Sequence, residues 1–476
     1  KDPYFNDFNL QILLPHKLSQ LGPFAAKTDV NGDGNMDLFI GGGHQQAGQL
    51  LLGKINGEFT KVETSAFTKD AYYEDQGAVF FDADNDGDED LYVVSGSYEF
   101  FNKPIALQDR LYFNDGKGKF EKLEGRLPMM KSAGSVVIAL DYDNDGDLDL
   151  FVGGRVVPGK YPYAPDSYLL QNNKGSFVDV TNEVAPEIQQ IGMVTDASWS
   201  DLDKDGVAEL IITGEWMGIE VFTNEDGKLQ RNDRYNYLSK MKGWWNKILI
   251  ADIDNDGDND IIAGNLGLNS KFHASSEKPF QIYAKDFDSN GVEDILLAKE
   301  YNGKEVPIRG KTCMTQQMPY LANRIKSYDD FANADLEQII GTDLSKALNL
   351  EVVEFRSGIF INQGLHSFAF EPLAQVAQTA PINSILFQDF DGDQKVDLLV
   401  AGNNYQSEVE TTRSDAGIST FFKGNEVGGF DEVHNKITGL FLDQDVRDIE
   451  VLNFKNTKLI LVINNNDSHR WYTLKK

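Results

Sequence analysis

The sequence has 476 residues, 41% apolar and 11% aromatic, so it is a folding composition too long for one ordinary core, and several domains or one closed repeat are expected. Its 44 basic and 75 acidic side chains leave a net charge of −31, which argues against a nucleic-acid partner because phosphates need a basic surface. The single Cys313 excludes a disulfide framework and cysteine-ligated zinc, and no run approaches the roughly 18 apolar residues of a membrane span.

The chain starts at Lys1 without Met or signal peptide and so reads as a mature or trimmed segment of something longer. Tyr4–Leu14 (YFNDFNLQILL) resembles an outer strand such as the later FVDVTNEVAP. The first acidic window follows at Asp29–Asp37 (DVNGDGNMD), with Asp29, Asn31, Asp33, Asn35 and Asp37 at its odd positions. Leu50–Val62 then reads as a hairpin whose Asn-Gly turn closes on Phe59. The second window, Asp82–Asp90 (DADNDGDED), offers Asp82, Asp84, Asp86, Asp88 and Asp90, and precedes the Arg110–Leu123 hairpin. In the third, Asp141–Asp149 (DYDNDGDLD), the odd positions are Asp141, Asp143, Asp145, Asp147 and Asp149. An aromatic loop, Arg155–Pro165 (RVVPGKYPYAP), separates it from the Ser167–Val180 hairpin.

The fourth window, Asp201–Glu209 (DLDKDGVAE), carries Asp201, Asp203, Asp205, Val207 and Glu209, with a hairpin at Ile219–Asn232. Asp252–Asp260 (DIDNDGDND) supplies Asp252, Asp254, Asp256, Asp258 and Asp260. Only 34 residues beyond its start comes Asp286–Asp294 (DFDSNGVED), with Asp286, Asp288, Asn290, Val292 and Asp294. A helix-prone stretch, Gln316–Leu350, interrupts the repeat, and its apolar Leu336, Ile339 and Ile340 are expected to pack on a face or rim of the repeat fold. After an Ile359–Leu373 hairpin, the seventh window, Asp389–Asp397 (DFDGDQKVD), has Asp389, Asp391, Asp393, Lys395 and Asp397, followed by a hairpin at Phe421–Val433. Asp448–Asn464 looks like an acidic hairpin that has lost its ligands, and Arg470–Leu474 like a third strand.

The windows hold 31 acidic residues against Lys204 and Lys395, a net −29, so the acidity of the chain is localised. Carboxylates crowded this densely repel unless a counter-charge sits among them. Acids at positions 1, 3, 5 and 9, with Gly at 6 in six windows, suit a hard cation with oxygen ligands. Ca²⁺ takes six to eight oxygens at roughly 2.3–2.6 Å; the loop offers those carboxylates and the carbonyl at position 7, which is how Val207, Val292 and Lys395 would take part. Mg²⁺ fits less well because it keeps its waters, and transition metals would want His or Cys. An EF-hand needs Glu at position 12, but these windows have Ile40, Val93, Val152, Ile212, Ala263, Leu297 and Val400 there, within β-prone runs. The unit is therefore strand, calcium loop, strand.

A calcium hairpin plus a turn hairpin makes four strands, and the first five windows start 53, 59, 60 and 51 residues apart. Repeats of that length predict an all-β fold, a single seven-bladed β-propeller over residues 1–476 with eight blades as the alternative. Both termini are expected to complete the last blade. The sixth loop is expected to be an extra hairpin on the fifth blade or one shared with the next, and 316–350 a helical insertion.

The DxDxDGxxD loops between strands resemble the FG-GAP (VCBS) repeats of integrin α propellers. Stretches such as LLPHKLSQLGP, GGRVVPGKYPYAPDSYLLQNN and GNLGLNSKF are more similar to bacterial proteins related to cartilage acidic protein and UnbV, especially their C-terminal propeller in Bacteroidetes. The resemblance implies up to about seven Ca²⁺ ions. It also implies a Gram-negative extracellular setting, as a cell-surface protein or lipoprotein, where millimolar calcium suits such sites. A non-enzymatic propeller binding a protein or glycan is the leading expectation, and a subunit of a larger outer-membrane assembly is another. A calcium-dependent polysaccharide lyase is the enzymatic alternative; it needs a Tyr or His base beside a cation, for which Arg155, Lys160, Tyr161 and Tyr163 are the local cluster. Trp199, Trp216, Trp244 and Trp245 read as core or wedges before ligand-stacking groups. His16, His44, His273, His366, His434 and His469 show no ligand spacing and read as turn or surface residues; no GxSxG, P-loop or dinucleotide fingerprint is present.

Overall fold

Each acidic window is flanked by apolar β-branched and aromatic runs, and in the computed structural model, which describes residues 3–426, 428–455 and 457–474, these runs pair as antiparallel hairpins. The first sheet consists of Ala25–Thr28, Asp37–Ile40, Gln49–Gly53 and Phe59–Val62, hydrogen-bonded in chain order. The same meander recurs over residues 75–122, 133–179, 193–231 and 384–433. The fold is an all-β propeller with a short helical insertion.

The first strands of successive sheets contact one another in chain order. They enclose a channel of about 350 Å³ to which Ala25, Ala78, Val137, Ala197, Lys247, Asn383 and Asp448 each bring one sheet. The last sheet, Val446–Phe454, Thr457–Asn464 and Arg470–Thr473, closes on the first. Leu452, Leu461 and Ile463 pack on Leu38 and Ile40, Ala25 N donates to Asp448 Oδ2 at 3.1 Å, and Lys27 pairs with Glu450 at 2.6 Å.

Among the described residues that last sheet has three strands, and Tyr4–Leu14 does not supply a fourth. Asp7 is buried and accepts from Leu18 N, Ser19 N and Ser19 Oγ at 2.7, 2.9 and 2.6 Å, folding residues 5–19 into turns. Side-chain packing, not strand exchange, seals the ring.

Loop six belongs to a sheet of its own. Phe280–Lys285, Asp294–Tyr301, Lys304–Pro307 and Leu348–Val352 form it, inserted between the second and third strands of the fifth ring sheet, Asp260–Gly264 and Gly358–Asn362. Helices at Lys311–Gln317, Leu321–Arg324, Tyr328–Asn333 and Leu336–Ile340 fill the interval, so the helical stretch begins before Gln316 and gives way to strand before Leu350. Leu336, Ile339 and Ile340 are buried in one apolar cluster with Phe280, Ile295, Trp216, Trp244, Leu13 and Leu14, so the insertion caps one end of the ring. In an antiparallel meander, the connections from first to second strand all emerge at the opposite end. Six acidic loops lie there, and loop six lies with the cap.

Candidate metal centres

The six ring loops share one framework. The ninth-position carboxylates of Asp37, Asp90, Asp149, Glu209, Asp260 and Asp397 are buried. Each accepts the backbone N–H of position 2, as in Ala83 N to Asp90 Oδ2 at 3.0 Å and Ile253 N to Asp260 Oδ2 at 2.8 Å. In five of them the second oxygen takes an N–H from the end of the third strand: Gly53, Asn114, Asn172, Asn362 and Gly424, at 2.7 to 2.9 Å. In five of the six the first carboxylate accepts the position 6 N–H, and in loops one and two that of position 5 as well, as Asp82 does from Asp86 N at 3.1 Å and Gly87 N at 3.0 Å. The loop therefore curls around its acids before any ion is considered.

Two positions in every window take left-handed backbone, not one. Position 6 does so at Gly87 (φ 94°), and position 4 at Asn85 (63°), Asn144 (58°), Lys204 (60°) and Asn255 (62°). Asn tolerates that conformation better than most non-glycine residues. Loop seven inverts the arrangement, with Gly392 at position 4 and Gln394 forced to φ 70° at position 6.

Carboxylate oxygens converge within 4.8 Å in the sets Asp82/Asp84/Asp86, Asp141/Asp143/Asp149, Asp201/Asp203/Glu209, Asp252/Asp254/Asp260 and Asp286/Asp288/Asp294. In loops two to five, seven buried oxygens lack a hydrogen-bond partner: Asp84 Oδ1, Asp88 Oδ1, Asp141 Oδ1, Asp201 Oδ1, Glu209 Oε1, Asp252 Oδ1 and Asp258 Oδ1. Buried carboxylate oxygens are rarely left unpaired, so these four loops fit a cation. Burial, then the neighbouring acids, lifts Asp88 to about 6 and Asp90, Asp149 and Glu209 to about 7. A bound divalent ion would reverse those shifts.

A recurring asparagine ties each of loops one to four to the next sheet. Asn114 Nδ2 donates to Val30 O and Asn172 Nδ2 to Ala83 O, both at 2.8 Å. Asn362 Nδ2 reaches Leu202 O at 3.0 Å, and Asn224 makes the same bond to Tyr142 O. In each case the third strand of one sheet holds position 2 of the preceding loop. The signal was in the turns YFN, LQN, FTN and FIN, whose Asn reads at first only as a turn former.

At the capped end, Glu215, Arg155, Tyr161 and His16 form a buried cluster. Arg155 Nη2 donates to Glu215 Oε2 at 2.6 Å, Tyr161 OH to Oε1 at 2.5 Å, and His16 Nε2 lies 3.1 Å from Oε1. Against the burial that would raise it, His16 and Arg155 hold the Glu215 carboxyl far below its usual range. Burial and then Glu215 push the Tyr161 hydroxyl well above its own range, the reverse of what a base needs. Tyr161 is fully buried, Lys160 is exposed, and Tyr163 OH donates to Glu293 Oε2 at 3.2 Å, so the four residues do not converge on an open groove. Trp216, Trp244 and Trp245 are core. His16 and His44 are buried too, against the surface expectation, because His16 meets Glu215 and His44 Nδ1 bonds Tyr72 O at 2.6 Å.

An FG-GAP-like repeat model matches residues 29–93 and 201–263, which hold loops one, two, four and five. The chain carries FG-GAP-like repeats. Cartilage acidic protein 1 of Xenopus tropicalis is 28% identical over 183 residues, 37% of this chain and 27% of that protein, so the match spans about a quarter of the relative's length. Among solved structures, BBS1N in its complex with ARL6DN aligns over 100% of this chain and 97% of its own, at 9% identity and TM-score 0.45. Sqt1 of Saccharomyces cerevisiae (97% of each chain, 10% identity, TM-score 0.45) and the V. cholerae biofilm matrix protein Bap1 (97% and 89%, 12%, 0.41) align similarly. Scores below 0.5 carry no weight for function, and the repeat geometry stands without them.

Proposed function

We propose that the chain is a calcium-stabilised binding propeller of the cell exterior, associated with a Gram-negative outer membrane, that engages a protein or glycan partner and performs no catalysis. The observation that carries this reading is the set of seven unpartnered buried carboxylate oxygens in loops two to five. Calcium there would be held by the position 1, 3, 5 and 9 side chains and the position 7 carbonyl, cross-linking two strands and converting binding free energy into folding free energy. Loop six offers the converging set Asp286, Asp288 and Asp294 in the cap. The partner would meet the capped end, where the long irregular connections lie, since loops on a rigid scaffold are the usual carriers of recognition.

The test is thermal unfolding in EGTA and in millimolar Ca²⁺, with and without a panel of acidic and neutral polysaccharides. An unchanged Tm in EGTA sinks the calcium reading. A further shift with one polysaccharide, without release of unsaturated product absorbing near 235 nm, identifies a glycan partner; product formation would overturn the non-catalytic assignment.

A further inference from the structure

Loop seven differs from the other ring loops in what faces it. The residue opposite each ninth carboxylate, which in five loops directly precedes the third-strand amide that bonds it, is in chain order Leu52, Phe113, Gln171, Thr223, Ile361 and Lys423. Five are neutral. The position reaches ligand three: Gln171 Nε2 donates to Asp143 Oδ2 at 2.6 Å. In loop seven the same position delivers an ammonium group. Lys423 Nζ pairs with Asp391 and lies 3.0 Å from Asp393 Oδ2.

Further features agree. Lys395 stands at position 7 and pairs with Glu426 at 3.6 Å, and Lys458 Nζ donates to Asp389 O at 3.4 Å. Gln394 replaces the position 6 glycine. Asp391 is exposed, where Asp84, Asp143, Asp203 and Asp254 are half-buried, and loop seven has none of the unpartnered buried oxygens of loops two to five. Among the described residues, no lysine or arginine ion pair reaches a ligand-position carboxylate in any other loop.

We propose that Lys423 is the built-in cation of loop seven, standing where calcium stands in its neighbours, so that this loop folds without metal and takes up none. The inference rests on the calcium reading of the other loops and deepens it. An ammonium satisfies two carboxylates by charge-assisted hydrogen bonds but cannot draw in five oxygens, which accounts for the shallower third ligand.

The experiment is calcium stoichiometry of the full chain by native mass spectrometry, for the wild type, Asp143→Ala, Asp391→Ala and Lys423→Met. Asp143→Ala is expected to lose one ion, Asp391→Ala none, and Lys423→Met to gain one. Loss of one ion in Asp391→Ala, or an unchanged count in a folded Lys423→Met, overturns the proposal. If Lys423→Met fails to fold, the Asp391→Ala count decides. A wild type that binds no calcium overturns the calcium reading and this inference together, whereas a calcium-bound wild type with an Asp391→Ala loss overturns this inference alone.

Discussion

The two ends of the ring solve the same problem with different chemistry. At the loop end, six acidic turns repeat one geometry, and their ninth carboxylates are buried with neighbouring acids close by. At the capped end nothing repeats: an inserted sheet, four short helices and the N-terminal turns pack Phe280, Trp216, Trp244 and Leu336 into one apolar mass. Its buried charge, Glu215, is already answered by Arg155 and His16. On the calcium reading, one end takes up a solute to balance its charge, whereas the other carries its own partners. Loop seven and Lys423 show the second solution at the first end.

Chelation should separate the ends most strongly. A site at a hundredfold excess over its Kd adds about 2.7 kcal/mol, so several sites emptied by EGTA should lower Tm by on the order of 10 °C or more. Calorimetry in EGTA and Ca²⁺ checks this, and equal curves would erase the contrast. Next in size, Glu215→Gln leaves the Arg155 guanidinium buried without its charge partner, at a cost of about 3–5 kcal/mol. Urea unfolding should give the same loss with and without calcium, because the site lies at the other end; a loss seen only in calcium would mean the ends are coupled.

Asn172→Ala removes a donor to Ala83 O and Leu148 O, and should cost about 1–3 kcal/mol while weakening calcium binding at loop two. Titration calorimetry of the variant would show whether that bond merely staples sheets or also shapes the loop.

A separate effect is with pH. Burial, and then the neighbouring acids, raises Asp37 and Asp260 to about 6 and Asp90, Asp149, Glu209 and Asp294 to about 7. Native protein then holds protons that the unfolded chain, with carboxyls near 4, has released. Metal-free stability, full below about pH 4, should therefore fall as pH rises through 6 to 7. Calcium requires the same groups ionised, so the Tm gain from Ca²⁺ should grow from pH 5 to pH 7.5. A gain independent of pH would mean the ion avoids the ninth carboxylates.

Much of the loop end was legible from residue order, because a nine-residue turn encodes its own geometry. Asp and Asn at odd positions, Gly at 6 and β-branched flanks are local signals, and the structure folds each of them as a strand, loop and strand. Some local signals were harder to read: Asn85 and Asn144 at position 4 serve left-handed backbone, and Asn114 and Asn172 look like turn residues until the neighbouring sheet is present. Tyr4–Leu14 has the composition of a strand but was captured by the buried Asp7 hydrogen bonds.

What residue order determined by itself is therefore the repeat, the all-β class and the acidic loops, all set by contacts a few residues apart. Only the tertiary structure decided that loop six stands in an inserted sheet, that His16 meets Glu215 across 199 residues, and that Lys423 faces Asp391 across 32. The first two join segments whose separation follows no period, whereas Lys423 stands at a repeated position and departs from the repeat in its charge. Their chemistry depends on which charge burial happens to bring opposite which, and a linear pattern does not record that.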